Sequence, residues 1–213
     1  GEIIAEPLRT HYPKTPESDV KERVKDVMNK VGLLDNLVNR YPHEFSGGQC
    51  QRIGIARALI LKPKLIICDE PVSALDVSIQ AQVVNLLMDL QEEMDLTLIF
   101  IAHDLSIVKH ISTKIMVLYL GNMVELANSD DIYMKPRHPY TQALISAVPI
   151  PDPSIEKSKK IILIEGDLPS PVDPPSGCVF RTRCQKAQDI CAIEKPEFKE
   201  VSSNHEVACH FHD

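Results

Sequence analysis

Three pieces of one stretch decide the fold: Phe45-Ser46-Gly47-Gly48-Gln49, then Leu65-Ile66-Ile67-Cys68-Asp69-Glu70-Pro71-Val72-Ser73-Ala74-Leu75-Asp76, then Leu98-Ile99-Phe100-Ile101-Ala102-His103. The second and third pieces each open on a short apolar run and close on a reactive polar residue. Near-continuous Leu/Ile runs separated by a helical pattern predict parallel strands buried on both faces. In open α/β sheets, ligands lie beyond the carboxyl ends of such strands. Asp69, Glu70 and His103 therefore fall along one sheet edge, where a nucleotide phosphate would sit.

Those residue types suit phosphoryl transfer. A strand-end Asp such as Asp69 can hold Mg²⁺, a hard cation that prefers oxygen ligands. The adjacent Glu70 can polarise an attacking water, and His103 across the crevice can donate to the γ-phosphate or position that water. Ser46 is the expected N-cap of a helix, and Gly47 and Gly48 let backbone N–H groups come close to a phosphate. An Asp-Glu pair or a Ser-Gly-Gly turn alone is more often an ordinary loop. All of them in this order and spacing are hard to explain that way.

The order resembles the ATP-binding-cassette (ABC) ATPases. Phe45 to Gln49 looks like their signature motif, Leu65 to Glu70 like the Walker B motif, Ser73 to Asp76 like the D-loop, and His103 like the switch histidine. Glu70 to Gln82 and the later His138-Pro139-Tyr140-Thr141 resemble more closely the ATPases of bacterial oligopeptide and dipeptide permeases. The resemblance implies an α/β chain: part of an ABC-ATPase (P-loop NTPase) domain with a parallel-sheet core over residues 1–149, including a helical subdomain at about 16–62. A small Cys-containing module follows at 150–213. It also implies that Ser46, Gly47, Gly48 and Gln49 serve the ATP of a partner subunit, with Asp76 coupling two sites across a dimer, whereas Asp69, Glu70 and His103 serve this chain's own nucleotide.

Composition bounds the alternatives. The formal net charge is −7 with no basic block, which speaks against nucleic acid as the main partner. No apolar run approaches the roughly 18 residues that span a bilayer, and no signal peptide is visible, so membrane contact would go through another protein. Aromatic residues make up 5% and Trp is absent, leaving little for a base-stacking platform.

Along the chain, Gly1 to Tyr12 carries no clear start signal. Helical periodicity is expected at Asp19 to Lys30, closed by Gly32, at Gln49 to Leu61, closed by Pro63, and at Ile79 to Met94. Asp104 to Ile111 reads as a short helix. Lys114 to Leu120 and Met123 to Leu126 read as a hairpin turning at Gly121-Asn122. Asp130 to Met134 and Tyr140 to Val148 read as helices. Pro149 to Pro153 reads as a stiff linker and Lys160 to Glu165 as a strand. Arg52 and Arg57 are expected at the surface or in ion pairs.

The G-x-x-x-x-G-K-[ST] loop that cradles β- and γ-phosphates does not occur in these 213 residues. By the resemblance, the family's glutamine loop and adenine-stacking aromatic also lie upstream, so the chain is expected to begin just after them and, on its own, to hydrolyse no ATP.

Of six cysteines, Cys50 and Cys68 are expected to be small apolar fillers in a helix and a strand. Cys178, Cys184, Cys191 and Cys209 crowd a Pro-rich segment with spacing C-x5-C-x6-C-x17-C. Disulfides do not suit a cytosolic ATPase, and a metal would supply stability that so small a module lacks. Four thiolates suit a [4Fe–4S] cluster or tetrahedral Zn²⁺, and spacing does not choose between them. The resemblance favours the cluster. His205, His210 and His212 are candidates for a mixed Cys/His zinc site, or solvent-exposed bystanders.

The leading reading is an ATP-hydrolysing subunit that powers oligopeptide import. It would work with Mg²⁺ at the cytoplasmic face of the inner membrane, paired with a second, related ATPase and two transmembrane permease subunits. An extracytoplasmic peptide-binding protein would act indirectly. Two other classes stand beside it: a soluble ABC ATPase working on DNA or ribosomes, and a non-catalytic metal-binding or regulatory module.

Overall fold

The computed structural model describes residues 1–150 and 152–212. The expected linker residue Pro151 lies outside the described residues. Two compact units divide the chain, Gly1–Ile107 and the part from Val108 onward.

In the first unit, helices α1 (Glu2–His11), α2 (Glu17–Lys30) and α3 (Gly47–Leu59) pack on one another. Apolar residues at helical spacing meet between them: Ile4, Ala5 and Leu8 of α1, Val20, Val24 and Met28 of α2, Ala56 and Leu59 of α3. Helix α2 stops where expected. Gly32 has φ +71, its N–H donates to Asn29 O, and the Leu33 N–H donates to Met28 O, closing the last turn. Arg57 pairs with Glu6, whereas Arg52 donates from Nη1 to Val31 O at 2.7 Å.

Strands β1 (Leu65–Asp69) and β2 (Thr97–Ile101) pair in parallel, Leu65 opposite Thr97 and Asp69 opposite Ile101. Helix α4 (Val77–Met94) makes the crossover, as a parallel pair demands. It starts at the Asp76 cap, whose carboxylate accepts from Ile79 N–H at 3.0 Å, and ends at Asp95 in the left-handed region. The strands differ from expectation in one respect: they are not buried on both faces. Cys68 is buried, while Leu65, Ile67, Ile99 and Ile101, all on the opposite side of the pleat, are exposed. A β-strand alternates its side chains, so a helical layer on one side covers only every second residue.

Helix α5 (Leu105–Ile111) follows β2, with Asp104 accepting from Ser106 N–H at its start. In the second unit, β3 (Lys114–Tyr119) and β4 (Asn122–Asn128) form the expected antiparallel hairpin. The turn lies one residue earlier than predicted, at Leu120-Gly121, both with positive φ, the geometry of a tight hairpin. Helices α6 (Ser129–Met134) and α7 (Pro139–Ser146) match expectation closely. Helix α8 (Pro153–Ser158), capped by Asp152, interrupts the supposed linker stretch. Lys160 to Glu165 is not a strand: Ile162 N–H donates to Ser146 Oγ and Leu163 O accepts from Gln185, so side chains take the ladder's place. Beyond a short helix, α9 (Asp189–Ile193), strands β5 (Lys199–Ser202) and β6 (His205–Val207) extend the hairpin into a sheet of order β3-β4-β6-β5.

Candidate functional site

The first site is built at the carboxyl ends of β1 and β2. The ladder runs one step past the strands, since Glu70 N–H donates to Ile101 O at 2.9 Å. This aligns the residues after the two strands. Glu70 is left with φ +46, a conformation that costs a non-glycine residue about 1 kcal/mol or more and persists only when neighbours impose it. Ser73 is one such neighbour, its hydroxyl donating to Glu70 O at 3.2 Å. From this turn, Glu70 Oε1 reaches His103 Nδ1 at 3.3 Å, with both side chains open to solvent. Asp69, one residue back, is also exposed. The expected trio thus shares one rim, with Glu70 and His103 in direct contact.

Ser46 is the N-cap of α3, as predicted. Its hydroxyl accepts from Gln49 N–H at 3.3 Å, and Gln49 Oε1 accepts in return from Ser46 N–H at 3.0 Å, a reciprocal capping box. The Gln49 carbonyl is therefore committed to the cap. The glycines carry a constraint that the sequence did not announce. A Cβ on Gly48 would stand 2.6 Å from Ile79 Cγ2, and one on Gly47 would stand 3.3 Å from Leu75 Cδ2. The glycine turn is thus packed on Leu75 and Ile79, the residues flanking the Asp76 cap. Gln80 fastens that same turn, donating from Nε2 to Val72 O and Leu75 O, each at 3.0 Å. The glycine turn and the strand-end acid are held in one piece by the loop between β1 and α4.

The second candidate site gathers the thiols of the tail. Cys178 N–H donates to Cys191 O at 2.8 Å, and Gly177, with φ +66, allows this approach because a Cβ there would lie 2.4 Å from Cys191 O. Burial pushes the Cys178 and Cys184 thiols up, and Cys209 to about 11, with like charge on neighbouring cysteines adding to each rise. Among the described residues, however, no three His, Cys, Asp or Glu side chains are drawn together closely enough to hold a metal ion. The donor set fits a metal or cluster in kind and number, not in its present spacing. Two other expectations need correction. Cys50 is exposed, its Sγ 3.8 Å from Pro42 O, because it lies on the outer face of α3. His205 is no bystander: it is buried and hydrogen-bonded to Glu125 at 2.7 Å.

Comparison with known proteins agrees with this geometry. The family described as ABC transporter matches residues 4–73, and the family described as oligopeptide/dipeptide transporter, C-terminal region, matches residues 124–191. A metal-chelate type ABC transporter in an inward-facing conformation is 32% identical with a TM-score of 0.56, covering 61% of this chain and 52% of that one. CbiO1 of Clostridium perfringens, part of an ABC transporter complex, is 27% identical with a TM-score of 0.55, covering 62% and 51%. The fold is that of an ABC ATPase, present in part.

More particularly, the chain is similar to oligopeptide transport ATP-binding proteins. It is 70% identical to OppF of Salmonella typhimurium over 98% of its own length, and 55% identical to AppF of Bacillus subtilis over 99%. The resemblance read from Glu70 to Gln82 and from His138 to Thr141 is of this kind. The chain spans 62% of the OppF sequence and 64% of AppF. Among the described residues no helix is long and apolar enough to cross a membrane.

Proposed function

We propose that this chain belongs to the ATP-hydrolysing subunit that drives a peptide importer. The contact of Glu70 with His103, at the rim that Asp69 shares, carries the reading. In it, Asp69 would hold Mg²⁺, which would offset the charge of the phosphates. Glu70 accepts a proton from the attacking water, and His103 steadies that water or the γ-phosphate while keeping Glu70 aimed. The Ser46-Gly47-Gly48 turn, exposed at Ser46 and Gly47 and placed at the start of the 13-residue α3, presents N–H groups to the ATP of a partner subunit. Gln49 shapes that turn through its cap, and Asp76 sets the loop between the two sites.

Its similarity to oligopeptide transport ATP-binding proteins supports oligopeptides as cargo. Two transmembrane permease subunits, a second related ATPase and an extracytoplasmic peptide-binding protein complete the machine, and its place is the cytoplasmic face of the cell membrane. Cys178, Cys184, Cys191 and Cys209 are proposed ligands of a [4Fe–4S] cluster, or of Zn²⁺, that would cross-link the tail once their protons are displaced.

The test is ATP turnover by vesicles holding the complete ATPase with its permease subunits. Peptide supplied with the binding protein should accelerate turnover; indifference to peptide would defeat the importer reading. The 213-residue chain alone should turn over no ATP, since it contains no G-x-x-x-x-G-K-[ST] loop.

A further inference from the structure

We propose that His138-Pro139-Tyr140 and Glu125 form a two-armed bracket that positions the four tail thiols. Glu125 lies in β4 and is fully buried. Its Oε1 accepts from Arg137 N–H at 2.7 Å and from His205 Nε2 at 2.7 Å, and its Oε2 accepts from His138 N–H at 2.9 Å. A carboxylate only accepts, so the Nε2 of His205 carries the hydrogen. One buried carboxylate thus ties β4, the loop before α7 and β6 together, which a carboxylate so deep requires if it is to stay satisfied.

The first arm leads to Cys209. The β4–β6 ladder pairs only Glu125 with Val207 and Leu126 with Glu206, followed by the Ala208 N–H donating to Val124 O at 2.9 Å. Such a short ladder is weak alone, and the Glu125–His205 bond sits at its start. Cys209 is the next residue after it.

The second arm leads to Cys178 and Cys184. His138 Nδ1 accepts from Tyr140 N–H at 3.1 Å, and Pro139 fixes the first turn of α7. Tyr140 is thereby aimed at Phe180, ring centroids 5.4 Å apart, and at Tyr119, 4.9 Å apart. Phe180 lies in sequence between Cys178 and Cys184, and both cysteines pack against the buried Tyr119, Val124 and Phe180 cluster. The motif therefore reaches every thiol segment: Cys178 and Cys184 through Tyr140, Cys191 through its bond with Cys178, and Cys209 through Glu125.

This inference rests on the metal-site reading only in naming what orders the segments that carry the donors, and it holds for the thiols whether or not a metal binds. The test is pulsed alkylation of the 213-residue chain, reduced and treated with a chelator, with each cysteine followed by mass spectrometry against exposed Cys50. In the unaltered chain the four tail thiols should react at least about tenfold more slowly than Cys50. His205→Leu should speed Cys209 by about tenfold and leave Cys178 and Cys184 within about twofold; Tyr140→Ala should do the reverse. His205→Gln, which keeps an N–H for Glu125, and Tyr140→Phe should restore the original pattern. Tail thiols as fast as Cys50 in the unaltered chain, or variants that speed all four alike, would overturn the bracket. Iron and zinc assays on the chain isolated without chelator report on the metal separately: an intact alkylation pattern with no metal bound would refute the metal alone.

Discussion

His103 Nδ1 and Glu70 Oε1 stand 3.3 Å apart at the ends of two neighbouring parallel strands, one strand set by the other through the Glu70 N–H to Ile101 O bond. With side-chain exposures of 73% and 51%, such a contact adds little to folding. Glu70 is nonetheless held at φ +46. Strain maintained at an exposed carboxylate is better explained by what the carboxylate does than by what it stabilises.

A stability cost at Glu70 follows. Glu70→Gly should raise the unfolding free energy of the chain by about 0.5–1 kcal/mol, because glycine adopts positive φ freely. Glu70→Gln keeps the strain and should leave stability within about 0.5 kcal/mol of the original. Urea denaturation of the two variants checks both; a less stable Glu70→Gly chain would show that no strain is held there.

Gly48 is fixed by space. Adding a Cβ 2.6 Å from Ile79 Cγ2 forces the start of α3 or of α4 to move. Gly48→Ala should cost about 1–3 kcal/mol, and Ile79→Ala should recover part of that loss in the double variant. Thermal unfolding of the four chains in a mutant cycle measures the coupling. Additive losses would mean the two residues do not press on each other.

His138 makes the second unit acid-sensitive. Burial lowers its pKa to about 4 from an ordinary 6.5. The unfolded chain therefore binds a proton that the folded chain refuses between those values. Stability should fall as the pH drops from about 6.5 towards 4, by up to about 3 kcal/mol from this residue. His138→Asn retains an acceptor for the Tyr140 N–H at the cap but does not titrate. Its stability should change less over that range, as chemical denaturation at several pH values would show.

How much of this was legible depended on whether neighbours in sequence or neighbours in space decide the matter. The strand-end acids, the Ser46 cap, the Gly32 stop and the β3–β4 hairpin are local, and their residues announce them. The exposure of Leu65, Ile67, Ile99 and Ile101 is not local, because a run of Leu and Ile looks alike whether one face or two are covered. Helix α1 was missed for a related reason: Pro7 argues against a helix, yet burial of Ile4, Ala5 and Leu8 holds it in place. The pairing of Glu125 with His205, 80 residues away, is not local either. A charged residue inside the otherwise apolar Met123 to Ala127 run was the one available signal.

The most direct test of the central claim is ATP hydrolysis by a complete ATPase containing this chain, with Glu70 intact and as Glu70→Gln. The account predicts that the variant still binds ATP but loses turnover by about 100-fold or more, since a base acts on water and not on nucleotide affinity. Turnover retained in Glu70→Gln, or lost only in step with ATP binding, would contradict it.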